Sequence, residues 1–323
     1  MLVPVLLFLL GFVLLIKGGD WFVDGATGIA HRFHLPELLI GATVVSIGTT
    51  LPEVMVSSQA ALQHNSGISY GNAIGSIICN TSLIAALTIA VMPGRVKRKT
   101  LQLPAAAFFI AAIVYSFIAY TQGEFKRWEG ILFLIMFGVY MFLSVRQMMN
   151  GDAEPEEAEE EEAPKNLQLW QEIALLVVGA AVIAIGANLL VNNGTLIAAA
   201  LGVPDSVIGL TMVALGTSLP ELVTAITSLM KGHGALSLGN VIGANLFNIV
   251  LVSGAAITIS PFAVPAEKTL FGINSSLLVD IPVMLGVMLL LCVPALKTEK
   301  LYRWQGITLL CIYAAFTLYQ FLI

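Results

Sequence analysis

Residues Gly41 to Glu53 read GATVVSIGTTLPE, and Gly209 to Glu221 read GLTMVALGTSLPE. Eight of the thirteen positions match across an offset of 168: Gly41/Gly209, Thr43/Thr211, Val45/Val213, Gly48/Gly216, Thr49/Thr217, Leu51/Leu219, Pro52/Pro220 and Glu53/Glu221. Each copy puts a proline and a carboxylate inside an otherwise apolar segment. Proline removes a backbone donor and pushes away the carbonyl four residues earlier. An ionised acid at the centre of a spanning helix costs about 2.5–3.5 kcal/mol on insertion scales. A chain that carries both burdens twice, at one spacing, is a duplication organised around those acids.

The repeat extends past the motif at the same offset. Gly18 pairs with Gly186, Pro36 with Pro204, Gly71-Asn72 with Gly239-Asn240, Gly75 with Gly243, Asn80 with Asn248 and Pro93 with Pro261. Arg127-Trp128 and Gly130 then match Arg303-Trp304 and Gly306 at a slightly larger offset. Apolar segments fall near 3–29, 36–63, 68–92, 101–120 and 129–149, and again near 168–197, 204–230, 235–260, 280–296 and 304–322. Each is long enough to cross a bilayer. Only 11% of the 323 residues are charged, against about 25% in soluble domains. The fold class that follows is an all-α polytopic membrane protein of ten transmembrane helices. The N-terminal segment lacks a basic leader and a small-residue cleavage site, so it reads as the first spanning helix.

Residues 1–150 form the first five-helix repeat, 151–166 an acidic linker and 167–323 the second repeat. The linker contains GDAEPEEAEEEEAPK, a like-charge run with no apolar face, and is expected to be solvated. Five crossings per repeat force the second copy into the membrane upside down. Inverted repeats with interrupted helices near the midplane are the architecture of secondary transporters. With the linker in the cytoplasm, eleven basic residues lie inside (Arg32, Arg95, Lys97, Arg98, Lys99, Arg146, Lys165, Lys231, Lys297, Lys300, Arg303) and only Lys126, Arg127 and Lys268 outside. The positive-inside rule thus puts both termini on the periplasmic or extracellular side of the cell (inner) membrane.

The candidate site follows from helical spacing. Thr49, Thr50 and Glu53 share one helix face, as do Thr217, Ser218 and Glu221. In the next helix Asn72, Ser76 and Asn80 form a stripe, with Gly71 and Gly75 beside it to admit a neighbouring helix. The second copy reads Asn240, Ala244 and Asn248, with Gly239 and Gly243. Neither half offers a buried Lys or Arg to neutralise the glutamates, so the counter-charge expected is a bound cation. Carboxylates, amide carbonyls and hydroxyls are hard oxygen donors suited to Ca²⁺; Zn²⁺ and copper favour His and Cys. The four histidines, His31, His34, His64 and His233, fall near loops and are expected to be solvated. Cys79, Cys292 and Cys311 lack metal or disulfide spacing and are expected to be small buried residues. Lys17 and Asp20 can pair, and Asp280 before Ile281-Pro282 has the form of a helix N-cap.

The duplicated G-T-[ST]-L-P-E core, followed by G-N-x-x-G-[SA]-x-x-x-N, resembles the α-repeats of the sodium/calcium exchanger branch of the cation/Ca²⁺ exchanger superfamily. The resemblance covers nearly the whole chain. It implies that Glu53 and Glu221 form the central cation site, with oxygens from Thr49, Thr50, Thr217 and Ser218 and the backbone carbonyls of Ser46 and Ala214. Ser76 and Asn80 match further ligand positions of the family. It also implies Na⁺/Ca²⁺ exchange by alternating access, with the first helices of the two repeats sliding past the rest. Two positions depart from the pattern: Ala244 stands where sodium-binding members carry Ser, and Asn248 where a well-studied type carries Asp. The central layer then carries −2 and not −3, which leaves the coupling ion open between sodium and protons.

The function expected is secondary active Na⁺/Ca²⁺ antiport at one shared two-glutamate site. A proton-coupled Ca²⁺ or divalent-cation antiporter is the alternative. A cation channel using both acids as a selectivity ring is the alternative of another class. An intramembrane enzyme lacks its usual signs here, a buried His/Asp pair or HExxH. The partners expected are Ca²⁺ and Na⁺ as substrates and the lipid bilayer, with no cofactor, no nucleic acid and no obligate protein partner.

Overall fold

The computed structural model describes residues 2–149, 167–201, 216, 218–266, 269–270 and 272–322. Among the described residues ten helices account for the apolar segments. The first repeat holds α1 (Leu2–Arg32), α2 (Glu37–Leu62), α3 (Ser66–Val91), α4 (Arg98–Gln122) and α5 (Arg127–Met149). The second holds α6 (Leu169–Ala200), α7 (Leu219–Met230), α8 (Gly234–Ile259), α9 (Ser276–Thr298) and α10 (Arg303–Leu322). Among the described residues eight of these have the length and hydropathy of a membrane span. The linker 151–166 and the first part of the expected seventh segment, residues 202–215 and 217, lie outside the described residues.

The contacts carry the repeat into three dimensions. A Cβ on Gly18 would come 2.9 Å from the Ile183 nitrogen, and one on Gly186 would come 2.9 Å from the Leu15 nitrogen. Positions 15 and 183, like 18 and 186, are repeat mates, so this is one contact made twice where α1 crosses α6. Likewise a Cβ on Gly130 would meet the Thr258 nitrogen at 2.6 Å, and one on Gly306 would meet the Ala90 nitrogen at 2.6 Å. Only glycine lets these backbones touch.

The connections repeat the pattern. A two-residue strand β1 (Glu124–Phe125) pairs antiparallel with β2 (Phe262–Ala263), and the mates of those segments meet as a single bridge, Arg95 to Lys300. A second pair, β3 (Thr269–Leu270) with β4 (Ile273–Asn274), closes the loop before α9. These short ladders were not legible in the sequence, and the fold remains helical.

Two hydrophobic clusters fill the interior. The larger joins α3, α4, α5, α8 and α9 around Ile74, Ile78, Phe108, Tyr115, Phe133 and Phe247. The smaller gathers Leu15, Phe22, Val23, Ile183 and Ala187 from α1 and α6 with Ile40, Val45 and Leu236. The bidentate pair of Arg32 with Glu172, at 2.7 and 2.8 Å, ties α1 to α6 as well. The α1–α6 pair therefore has its own core beside that of the other helices.

Three expectations are corrected. Asp280 does not cap α9: it sits in helical geometry at the end of a π turn (Ser276–Asp280), makes no capping bond and accepts from Gln320 Nε2 at 3.0 Å. Cys311 is exposed on α10, whereas Cys79 and Cys292 are buried. His233 is more than a solvated loop residue, because its Nδ1 lies 2.8 Å from Glu37 Oε1. The expected Lys17–Asp20 pair is loose, at 4.0 Å.

Helix starts give a check from within the chain. Buried Glu129 accepts from the Lys126 backbone N–H at 2.7 Å, and its mate Gln305 accepts from the Tyr302 N–H at 2.7 Å. Gln thus does at α10 what Glu does at α5. Glu129→Gln is expected to cost under about 1 kcal/mol, and Glu129→Ala about 1–2 kcal/mol because the Lys126 N–H loses its capping acceptor. Thermal unfolding in detergent distinguishes them.

Candidate cation site

Glu53 lies in the middle of α2, in a stretch (Ser46–Leu62) that stays helical through Pro52. Glu221 lies in the first turn of α7, behind Ser218, with Pro220 at the helix start. The two prolines therefore differ in setting, although the sequence treats them alike. Asn80 and Asn248 each open a π turn, Asn80–Ala85 in α3 and Asn248–Ser253 in α8. Such single-turn π segments recur at functional sites, and these two are repeat mates. Nothing in the residue pattern announced them.

Packing brings the four bearers together: α2 touches the π turn of α8, α7 touches the π turn of α3, and α2 touches α7. Glu53 and Glu221 are both fully buried and within electrostatic reach of each other. Thr49 lies beside the Glu221 carboxyl. All four carboxylate oxygens, both side-chain polar atoms of Asn80 and of Asn248, and the hydroxyls of Thr50 and Ser218 are buried without a hydrogen-bond partner among the described residues. Ser76 is buried on α3. Ala214 and Thr217 lie outside the described residues.

Buried polar atoms normally find partners, and a buried charge is costly unless paired. Here many of the unpartnered atoms belong to the residues singled out from the repeat, while others, Tyr115 Oη and Ser144 Oγ among them, belong to residues outside that set. Among the described residues no Lys or Arg pairs with either glutamate, and no three His, Cys, Asp or Glu side chains gather as a metal cluster. What the site offers is two carboxylates, two amides and hydroxyls, enough hard oxygens for a Ca²⁺ shell of about 6–8.

The supporting contacts went partly unread. Asn240 Oδ1 accepts from Thr49 Oγ1 at 3.1 Å and lies 3.3 Å from Ser46 Oγ, whose hydroxyl also faces the Gly41 and Asn240 carbonyls at 2.8 and 3.0 Å. The Thr49 hydroxyl thus lies between Asn240 and the Glu221 carboxyl. Asn72 instead donates to the Glu53 carbonyl at 3.1 Å and to Ser57 Oγ at 2.8 Å. Buried Asn245 donates to Thr81 Oγ1 at 2.7 Å; its repeat mate is Ile77, so no repeat signal marked it. Cys79 accepts from Tyr313 at 3.8 Å and lies within electrostatic range of both glutamates.

The glycines beside the asparagines part company. A Cβ on Gly239 would overlap the Leu38 carbonyl oxygen, and one on Gly243 would come 2.6 Å from the Ala42 Cα, so α8 is pressed against α2. A Cβ on Gly71 or Gly75 would meet no described atom within 4 Å. Gly71 is exposed, and Asn72 and Gly75 are partly so, while Gly239, Asn240 and Gly243 are buried. The expectation of close approach holds for the second pair, and among the described residues not for the first.

This arrangement, a duplicated helical membrane bundle around two buried acids, is that of a cation carrier, and comparison with known proteins gives the family. A family model described as "sodium/calcium exchanger protein" matches residues 3–146 and 172–322. A sodium/calcium exchanger of Methanosarcina acetivorans is 34% identical over 98% of both chains. An uncharacterized membrane protein of Methanocaldococcus jannaschii is 37% identical over 95% of this chain and 94% of that one. A solved structure of the sodium-calcium exchanger NCX_Mj superposes with a TM-score of 0.80 at 35% identity, covering 98% and 97% of the two chains. The chain belongs to the sodium/calcium exchanger family.

Proposed function

We propose that the protein exchanges Na⁺ for Ca²⁺ by alternating access, with both ions competing for one site between Glu53 and Glu221. The observation that carries this reading is the set of buried, unpartnered carboxylate, amide and hydroxyl oxygens on repeat-related helices. Ligands would be the two glutamates, Asn80, Asn248, Thr49, Thr50, Ser218 and Ser76, with Thr217 and the backbone carbonyls of Ser46 and Ala214 carried over from the family motif. Two carboxylates balance one Ca²⁺ or two Na⁺, so a loaded site is neutral and an empty one carries −2. Moving −2 through an apolar barrier is costly. The carrier therefore switches when loaded, which makes transport an obligatory exchange and not a leak.

We also infer a location in the cell membrane. Each repeat, 1–150 and 167–323, contributes half the site, and the 151–166 linker lies in the cytoplasm with both termini outside. The charge asymmetry of the loops supports that orientation. The test is Ca²⁺ uptake into proteoliposomes. A Na⁺ gradient is expected to drive it, and counterflow is expected without any gradient. Uptake that follows a pH gradient in the absence of Na⁺ would assign the coupling to protons instead, and flux without counterflow would indicate a pore.

A further inference from the structure

At the turn between α7 and α8, Lys231 Nζ lies 2.7 Å from Asp24 Oδ1 and 3.5 Å from Asp20 Oδ1, and donates to the Asp20 backbone carbonyl at 3.0 Å. Two residues on, His233 Nδ1 lies 2.8 Å from Glu37 Oε1 at the start of α2. This one turn therefore grips α1 through Lys231 and α2 through His233. Just beyond it, Gly239 and Gly243 are pressed against α2, and Asn240 holds Ser46 and Thr49. This face of the bundle is sealed.

The duplication supplies a control within the same chain. The repeat mates of Lys231 and His233 are Gln63 and Asn65, in the turn between α2 and α3 on the opposite face. The mates of Asp20, Asp24 and Glu37 are Asn188, Asn192 and Asp205. Four of the five positions in these pairs thus have an amide as repeat mate, and the fifth, Glu37, has another acid, Asp205. Gln63 is exposed, Asn192 donates to Asn188 within its own helix at 2.9 Å, and Asn65 caps α3 through the Ile68 N–H. On that face Gly71 is exposed. Ion pairs and close glycine contacts go together on one side, and among the described residues neither is found on the other.

We propose that the α7–α8 turn is an electrostatic latch, Lys231 on Asp20 and Asp24 and His233 on Glu37, that biases the carrier toward the conformation closed at this face. Two inverted repeats with identical turns would hold the two access states nearly equal in energy. Replacing amides by ion pairs in one turn breaks that balance. The pairs are partly solvated, Lys231 at 28% and Asp24 at 35% side-chain exposure, so each contributes modestly. A modest bias is what a carrier that must still switch can tolerate. On the orientation given above, the latch closes the cytoplasmic face.

The latch rests on the exchanger reading, but its test needs no transport. Amide hydrogen exchange of the full chain in lipid nanodiscs is compared between the wild type and Lys231→Gln/His233→Asn, which copies the other turn. Exchange across 234–244 is expected to rise about threefold while that across 66–76 falls. The charge-swapped Asp24→Lys/Lys231→Asp protein is expected to return toward the wild-type pattern. Transplanting the latch, as Gln63→Lys/Asn192→Asp, is expected to shift both segments the other way. Unchanged exchange in both segments, a rise in both, or a transplant without effect each overturns the latch. A chain that shows these shifts and yet moves no Ca²⁺ would instead count against the exchange reading.

Discussion

Replacing either acid by its neutral isostere, Glu53→Gln or Glu221→Gln, is expected to lower Na⁺-driven Ca²⁺ uptake by about 100-fold or more. The side chain keeps its shape, so what is lost is one of two charges in a fully buried site. Removing one member of a buried charge interaction costs about 2–5 kcal/mol, and about 1.4 kcal/mol is a factor of ten. Stability should respond in the opposite sense in the ion-free protein. Two buried carboxyl groups within reach of each other, with no hydrogen-bond partner, burden the fold, and neutralising one relieves it. Uptake in proteoliposomes and thermal unfolding without Ca²⁺, measured on the same preparations, check both halves. Lost uptake together with lost stability would point to a merely structural role for these acids.

The second large effect concerns the sealed face. Gly239→Ala is expected to destabilise the protein by about 1–3 kcal/mol, seen as a Tm lower by several degrees, with Ca²⁺ exchange impaired. The added methyl would overlap the Leu38 carbonyl oxygen, which is backbone and cannot rotate away. Helix propensity works the other way, since alanine in a helix is favoured over glycine by about 0.8–1.0 kcal/mol, so the observed loss is what remains after that gain. The mate Gly71 is the control. It is exposed and its Cβ would meet no described atom within 4 Å, so Gly71→Ala should be neutral or slightly stabilising. The two repeats carry the same glycine for one close contact, yet only one of them makes that contact among the described residues.

That asymmetry marks where sequence reasoning ends. The helices were legible because apolar length is a direct physical requirement of the bilayer, and the acids because burial without a partner is so costly. Repeat symmetry then placed Asn80 with Asn248 and Gly239 with Gly71. A repeat, however, says that two halves are equivalent, and a carrier works by making them inequivalent at any one moment. Hence Gly71 was expected to pack and meets no described neighbour, and Pro52 lies inside a helix while Pro220 begins one. The π turns at Asn80 and Asn248 were illegible because one extra residue in a helical turn leaves the apolar pattern almost unchanged. Asn240 as the partner of Thr49 was hidden because it comes from the other repeat, 191 residues away. The pairing of Lys231 with α1 lies 207 residues apart and became significant only beside Gln63, Asn188 and Asn192.

The most direct test of the shared site is equilibrium Ca²⁺ binding to the purified protein as Na⁺ is raised at constant ionic strength. One Ca²⁺ per chain is expected, displaced competitively by Na⁺, with binding absent in Glu53→Gln/Glu221→Gln. Ca²⁺ that stays bound as Na⁺ saturates, or binding that survives loss of both glutamates, would contradict a single site between the two acids.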